Sequence, residues 1–150
     1  MRTLIIIKPD AVQRGLIGRI LMRFEEKGIK IVALKMMHIH KELAEKHYGE
    51  HKGKPFYDPL VKYITSESSR AVVCVLEGNN IVNVVRKMCG ATNPHDSEIG
   101  TIRGDFGMQT GRNIIHASDS EESSKREIAL FFTEEELHDY KRIDEEWVYE

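Results

Sequence analysis

The chain has 150 residues, of which 41% are hydrophobic and 31% are charged, and its formal net charge is −2. At about 100 to 200 residues per domain, this length suits one globular domain. This balance of residue types excludes a disordered or collagen-like chain. The longest purely apolar run, Ala71 to Leu76, has six residues, whereas a membrane helix needs about 20. We therefore expect one domain, residues 1–150, that does not cross a membrane.

Two features of the sequence favour a cytoplasmic protein. The apolar run near the N-terminus ends at Lys8-Pro9, short of the 7 to 15 apolar residues, roughly, of a secretion signal. The two cysteines, Cys74 and Cys89, are too few for a disulfide framework or a cysteine-based zinc site. We expect both thiols to be reduced and structural.

The N-terminal residues predict a strand followed by one helix. Leu4 to Ile7 is continuously apolar, which is typical of a strand buried on both faces. Asp10 and Gln13 have the spacing of a capping box. Apolar residues then recur with helical spacing at Ile17, Ile20, Leu21 and Phe24. The predicted helix ends at Lys27-Gly28.

The middle of the chain alternates between strand-like and helical patterns of apolar residues. Ile31 to Ile39 alternates and is rich in branched residues, so it predicts a second strand. Lys41 to Tyr48 is weakly helical, and Pro55 to Ile64 predicts one short helix. Ala71 to Glu77 predicts a third strand.

A helix and a long loop follow the third strand. Asn79 is the predicted cap of this helix, and Gly90 ends it. Its apolar face is Ile81, Val84, Val85 and Met88. Thr92 to Arg112 has no sustained period and many specific polar groups. Because loops of this length in compact domains often carry function, we expect part of the site here.

The C-terminal part predicts a short strand at Asn113 to Ala117 and a capping box at Ser118 to Glu121. A helix then runs through Phe131, and Tyr140 to Glu150 is predicted to dock on the surface as a tail. The complete order matches the ferredoxin-like βαββαβ motif. We therefore predict an α+β sandwich with a four-stranded antiparallel sheet, the helices on one of its faces, and added helices.

One short motif suggests zinc. His47, Glu50 and His51 have the H-x-x-E-H form in which two histidines bind Zn²⁺ and the glutamate acts as a base. However, Gly49 weakens the helix that would have to present both histidines. A solvent-exposed helix end is the better interpretation, and no residue is predicted to be a dedicated metal ligand.

His116 is the strongest candidate for chemistry. It lies at the end of a short apolar strand beside a glycine-rich loop, which would hold its ring in place and leave it accessible. A neutral imidazole is a nucleophile that needs no strong base beside it. Glu127, in the following helix, could hydrogen-bond the second ring nitrogen. From spacing alone, a structural histidine and a plain helix cap at Ser118 remain alternatives.

Cations near the predicted strand ends support phosphate chemistry. Lys8 follows the first strand, Arg86 lies near a helix end, and Arg103 and Arg112 lie in the long loop. Strand ends and the loop that joins them can meet at one place. Phosphoryl transfer needs positive groups around the nucleophile.

Several segments together resemble one known family. They are Lys8-Pro9-Asp10, Tyr48, Pro55-Phe56, Arg86, Gly90 to Pro94, Gly100 to Phe106 and Asn113 to Ser120. These segments resemble the nucleoside diphosphate kinase family, and the resemblance extends to the terminal Trp147 to Glu150. The chain departs from the family pattern at Ala117, where glycine is usual, and at Thr110, where an apolar residue is usual.

The resemblance implies a reaction and a role for each site residue. His116 would take the γ-phosphoryl group of a nucleoside triphosphate and pass it to a nucleoside diphosphate, while Glu127 and Ser118 position its ring. The implied ligands of the transferred group and ribose are Lys8, Tyr48, Arg103 and Asn113, and those of the β-phosphate side are Arg86 and Thr92. Phe56 would stack on the base, with Leu60 beside it and Thr110 on the far face. Magnesium would arrive with the phosphates.

The family further implies a homo-hexamer, with a tetramer as the alternative. A catalytically silent module that binds nucleotides for regulation would keep Phe56, Lys8 and the arginines but would not need His116. Specific nucleic-acid binding is disfavoured because the chain is slightly acidic and has no aromatic RNA-binding motif.

Overall fold

Four antiparallel strands form the centre of the molecule. In the computed structural model, which describes residues 1–150, the strands are β1 (Arg2–Ile7), β2 (Lys30–Met37), β3 (Ala71–Glu77) and β4 (Ile115–Ala117). Their order across the sheet is β2-β3-β1-β4, and every neighbouring pair is antiparallel. The predicted ferredoxin-like α+β topology is therefore confirmed.

Helices connect and cover these strands. They are α1 (Pro9–Gln13), α2 (Ile17–Glu26), α3 (Lys41–His47), α4 (Tyr57–Ile64), α5 (Ile81–Cys89), α6 (Ile102–Phe106), α7 (Glu121–Phe131) and α8 (Glu145–Val148). Short 3-10 turns occupy Gly49–His51, Pro94–Asp96 and Glu134–Glu136. None of the helices combines the length and the apolar character that a membrane crossing requires.

The sheet is covered on both faces, so the prediction of helices on one face was wrong. Ile5 and Ile7 of β1 pack with residues of α2 and α5, whereas Leu4 and Ile6 pack with residues of α3, α4 and α7. Since successive side chains of a strand point to opposite faces, a fully apolar β1 needs a cover on each side. The added helices provide the second cover.

The first predicted helix is broken into α1 and α2. Gly15 lies between them with φ +69°, a left-handed conformation that ends a helix and favours glycine. The predicted capping box is also absent, because Lys8 is the cap residue of α1. The Asp10 carboxylate instead accepts the Ile114 N–H (3.0 Å) and the Tyr63 hydroxyl (2.8 Å). Asp10 therefore connects α1 and α4 to the segment before β4.

Two other helix caps differ from the predictions. The α7 cap is Ser120, whose Oγ accepts the Ser123 N–H at 3.0 Å, whereas Ser118 is buried. The cap of α5 is Asn80 rather than Asn79, and Asn80 makes no side-chain cap hydrogen bond. The predicted ends of these helices, near Phe131 and Gly90, are confirmed.

The long loop contains structure that its composition did not predict. Helix α6 lies within it, and the Thr101 hydroxyl caps this helix by accepting the Gly104 N–H at 3.0 Å. Strand β4 begins at Ile115 rather than Asn113 because Ile114 has φ +75°, which is incompatible with a regular strand.

The C-terminal residues dock on the body of the molecule, as predicted. The Tyr140 hydroxyl donates to the Ile31 carbonyl at 2.6 Å. Arg142 donates to the carbonyls of Gly28 (2.9 Å) and Ile29 (3.1 Å). These bonds hold the tail beside the start of β2.

Candidate active site

His116 is the central residue of β4, where it pairs with Ile6 of β1. Its neighbours Ile115 and Ala117 are buried, which anchors the strand against the sheet. The His116 side chain is 26% exposed. The ring is therefore held by a rigid strand and remains accessible from one side.

The chain enters β4 through a strained residue. Ile114 is fully buried, and its φ of +75° is unfavourable for a β-branched side chain. Two bonds hold it there: its N–H donates to Asp10 (3.0 Å), and its carbonyl accepts the Lys8 N–H (2.9 Å). The Lys8-Pro9-Asp10 segment therefore fixes the backbone two residues before His116.

A buried carboxylate orients the His116 ring. His116 Nε2 lies 2.9 Å from Glu127 Oε1 and 2.8 Å from Oε2, so Nε2 carries the proton and donates. Glu127 is buried, and the Ser118 hydroxyl donates to its Oε2 at 3.4 Å. This arrangement leaves His116 Nδ1 with the lone pair.

The ring opens into a pocket of about 250 Å³. Nine residues predicted for the site line it: Lys8, Tyr48, Leu60, Arg86, Thr92, Arg103, Asn113, His116 and Glu127. Pockets that enclose a drug-sized ligand have volumes of about 300 to 1,000 Å³. This pocket therefore suits phosphate groups, and a nucleoside would extend beyond it.

Lys8 is a cation in the floor of this pocket. Its Nζ donates to Asn113 Oδ1 at 2.8 Å, and the residue is buried. Burial lowers the pKa of Lys8 to about 8, while Asp10 opposes the shift and Arg103 and Arg112 add to it. An incoming phosphate would provide the negative partner that this ammonium lacks.

Arg103 is fixed by backbone carbonyls. Its guanidinium donates to Asn113 O (3.2 Å), Gly90 O (2.9 Å) and Ile115 O (2.6 Å). Since a guanidinium has five N–H donors, two remain for a ligand in the pocket. Arg103 thus joins α5 to β4 and also presents charge to the site.

The other cations and polar groups are held less tightly. Arg86 is exposed, and its Nη1 donates to the Ala117 carbonyl at 3.3 Å. Asn113 Nδ2 donates to the Thr92 carbonyl at 3.0 Å, which ties the residues after α5 to the entrance of β4.

The residues predicted to contact the base lie towards the outside. Phe56 is 49% exposed, and its ring centroid lies 5.2 Å from that of His51, which lines the pocket. Leu60 lines the pocket itself. Thr110 is exposed and does not line the pocket. Tyr48 is buried, and burial raises its pKa so that the phenol stays protonated.

Sequence reasoning missed the positions of His47 and Asp10. His47 is buried against the His116 ring, with 4.6 Å between the ring centroids, whereas His51 is partly exposed and lies near Phe56. The H-x-x-E-H motif therefore presents its histidines to different surroundings. A signal for His47 existed, because it follows Leu43 by one helical turn and so shares its buried face.

The fold and the pocket together define an α+β protein with a cation-lined pocket beside an oriented histidine. Residues 1–137 match the family model described as nucleoside diphosphate kinase. The chain belongs to the nucleoside diphosphate kinase family.

Relatives of the chain resemble it along almost its whole length. A nucleoside diphosphate kinase of Pelotomaculum thermopropionicum is 59% identical, over 99% of both chains. One of Methanobrevibacter smithii is 56% identical, over 99% of this chain and 98% of its own. The solved structure of a Halobacterium salinarum nucleoside diphosphate kinase in complex with CDP has a TM-score of 0.96 and 50% identity, over 100% and 99% of the two chains.

Proposed function

We propose that this phosphotransferase moves the γ-phosphoryl group of a nucleoside triphosphate, mainly ATP, to a nucleoside diphosphate, and that His116 carries the group between them. The observation that supports this role is the bond between His116 Nε2 and Glu127 at 2.8 Å. It assigns the proton to one ring nitrogen and the nucleophilic lone pair to the other.

In the first half-reaction, the Nδ1 lone pair of His116 attacks the γ-phosphorus. A nitrogen–phosphorus bond forms while the bond from the γ-phosphorus to the β–γ bridging oxygen breaks, and the diphosphate leaves with that electron pair. Positive charge develops on the ring, where the buried Glu127 carboxylate stabilises the Nε2 proton. A second nucleoside diphosphate then attacks the phosphorus and regenerates the neutral ring.

Cations around the ring stabilise the transferred group. We assign Lys8, Tyr48, Arg103 and Asn113 to the transferred group and ribose, and Arg86 and Thr92 to the β-phosphate. The Lys8 ammonium and the two free N–H groups of Arg103 support this assignment, because fixed donors need no reorganisation during the reaction.

The base would lie at the rim of the pocket. Phe56 offers an exposed face for stacking, which every base can use, with Leu60 beside it and Thr110 on the far face. Magnesium would enter as part of the nucleotide complex. Glu50 and Asp119 are the lining carboxylates not bound to His116, too few for the oxygen ligands that Mg²⁺ needs without phosphates. Bound magnesium would shield phosphate charge.

We further assign the reaction to a single domain, residues 1–150, in a cytoplasmic homo-hexamer, with a homo-tetramer as the alternative. We propose no membrane partner and no specific nucleic-acid partner. A catalytically silent nucleotide-binding module is not favoured, because it would have no use for an oriented His116–Glu127 pair.

The test is to isolate the covalent intermediate. With γ-labelled ATP, magnesium and no acceptor, we expect about one label per chain, stable in alkali and lost in acid, as for a phosphoramidate. Any nucleoside diphosphate should then remove it. His116→Ala should bind nucleotide but take up no label, since it lacks the nucleophile and keeps the cations. Label that persists in this variant, or that lies on Ser118 or Ser120, would overturn the mechanism.

A further inference from the structure

His47 is a buried polar side chain whose ring nitrogens have no hydrogen-bond partner. Both Nδ1 and Nε2 are inaccessible and unpaired. The nearest carboxylate oxygen, Glu127 Oε2, is 3.8 Å from Nδ1, too far for a hydrogen bond. Because buried polar groups are nearly always paired, an unpaired imidazole beside the active site needs an explanation.

The surroundings of His47 keep its ring neutral. The ring packs edge-on against Tyr48, His116 and Phe131, with centroid distances of 4.4, 4.6 and 5.2 Å. Burial lowers its pKa far below the ordinary value of 6.5, and His116, Arg126 and His51 add to the effect. A neutral imidazole keeps a free lone pair, which is the form that binds metal ions.

Two further ligand atoms lie close to His47. One atom each from His47, His116 and Glu127 can be chosen so that all lie within 4.8 Å of one another. Ligand atoms at the Zn²⁺ bond length of about 2.0 to 2.1 Å lie about 3.4 Å apart in a tetrahedron. Small side-chain rotations would therefore bring the three atoms around one ion. His116 and Glu127 also line the pocket, which provides an entry path.

We propose that His47, His116 and Glu127 form a binding site for one Zn²⁺ ion, with the fourth position open to the pocket. Two imidazoles and one carboxylate suit zinc, whereas Mg²⁺ prefers oxygen ligands. When zinc binds, the His116 ring changes tautomer: Nε2 gives up its proton to solvent and coordinates the ion, while Nδ1 takes up a proton, so the ring stays neutral. The sequence did not predict this set because it paired His47 with His51.

Zinc at this site would inhibit the enzyme, a consequence that rests on the proposed role of His116. With Nε2 bound to the ion, Nδ1 would carry the ring proton and would have no lone pair for attack on the phosphorus. The ion would also occupy Glu127, which then could not stabilise charge on the ring. Nucleotide phosphates would fill the pocket to which the fourth coordination position opens, so zinc should bind best in the absence of nucleotide, and it should not be required for activity.

The binding test uses nucleotide-free protein and the metal alone. Calorimetry with Zn²⁺ and visible absorption with Co²⁺ should report one tetrahedral ion per chain. NMR of the histidine rings should show the largest changes at His47 and His116. Changes confined to His38, His40, His51 or His95 would overturn the site. This measurement needs no variant, so it does not depend on how substitutions affect folding.

Two matched variants locate the ligand. His47→Gln should weaken zinc binding by at least about tenfold, since even partners outside the ligand shell contribute about 10- to 100-fold. His51→Gln removes the other histidine of the same motif and should leave zinc binding unchanged. Equal affinities for both variants would contradict the proposal, with thermal unfolding used to verify that each is folded.

The activity test separates the proposed zinc binding from the proposed inhibition by zinc. At buffered free zinc and excess magnesium, zinc should inhibit the wild type, a chelator should reverse the inhibition, and the inhibitory concentration should rise at least about tenfold in His47→Gln. Binding without inhibition would overturn only the inhibitory consequence. Activity that a chelator abolishes and only zinc restores would overturn the inhibitory role and indicate a required metal.

Discussion

Lys8 and Arg103 are both buried cations, yet the pocket holds them differently. Arg103 donates to three carbonyls, and a guanidinium stays charged at every pH that the protein experiences. Lys8 has one side-chain hydrogen bond, to Asn113, and its pKa is lowered to about 8 by burial. The charge on Lys8 therefore depends on pH, whereas the charge on Arg103 does not.

This difference predicts weaker nucleotide binding above pH 8. As pH rises from 7 to 9.5, Lys8 passes its pKa of about 8 and loses the charge that would bind phosphate. A hydrogen bond to a charged group contributes about 1.5 to 3 kcal/mol, so KM for the magnesium–triphosphate complex should rise about tenfold or more. In Lys8→Arg the side chain stays charged, so the KM at pH 9.5 should be close to the KM at pH 7. Parallel pH profiles for the two proteins would contradict this role.

If Phe56 stacks on the base, its removal should weaken nucleotide binding by the same amount for every base. Phe56→Ala should weaken binding of adenine, guanine, cytosine and uracil nucleotides alike, by about 1 to 3 kcal/mol, because stacking uses the face of any base. Fluorescence titration with the four diphosphates would measure it. Thr110→Ala is the control, and its effect should be smaller, since a threonine side chain has no aromatic face to stack on a base. A large loss for one base alone would indicate recognition by hydrogen bonds instead.

At the scale of elements, the helices with clear apolar spacing were predictable, whereas their starts and N-terminal caps were not. The helical spacing of apolar residues in α2 predicted a helix, but the break at Gly15 depends on its positive φ. The presence of a glycine does not reveal such a break, because Gly18, three residues further on, is helical. The sequence likewise predicted the α7 cap at Ser118 instead of Ser120, since both are serines followed by acidic residues.

The two glycines should respond in opposite ways to the same substitution. Gly15→Ala should destabilise the protein by about 1 kcal/mol, since an alanine is strained at positive φ. Gly18→Ala should stabilise it by about 0.5 kcal/mol, because Gly18 is helical and nothing lies within 4 Å of an added Cβ. Urea unfolding of both variants measures the difference. A stabilising Gly15→Ala would mean that α1 and α2 can join into one helix.

At the scale of the molecule, topology and the pocket were predictable, whereas several long-range contacts were not. The four-stranded antiparallel sheet followed from the βαββαβ pattern, and the family motifs predicted most of the residues that line the pocket. The link from Asp10 to Ile114, which lie 104 positions apart, has no periodic signal in one sequence. Neither does the contact of His47 with His116, because it depends on how α3 lies on the sheet.

The surface of β2 predicts how copies of the chain would assemble. β2 is the longer edge strand, with eight residues against three in β4. Leu34 and Met36 on it are 48% and 56% exposed, and Met22 of α2 is 50% exposed. A long edge with large apolar side chains favours pairing with another chain. We therefore expect contacts between copies at this edge.

Sedimentation equilibrium can test this expectation with a matched pair of variants. The wild type should have six times the chain mass of 17.3 kDa, or four times for the alternative. Leu34→Asp buries a charge in the predicted contact and should lower the mass. Ala129→Asp adds the same charge on the exposed face of α7 and should not. A wild type that sediments as single chains would contradict assembly, and a Leu34→Asp variant with the full mass would place the contact elsewhere.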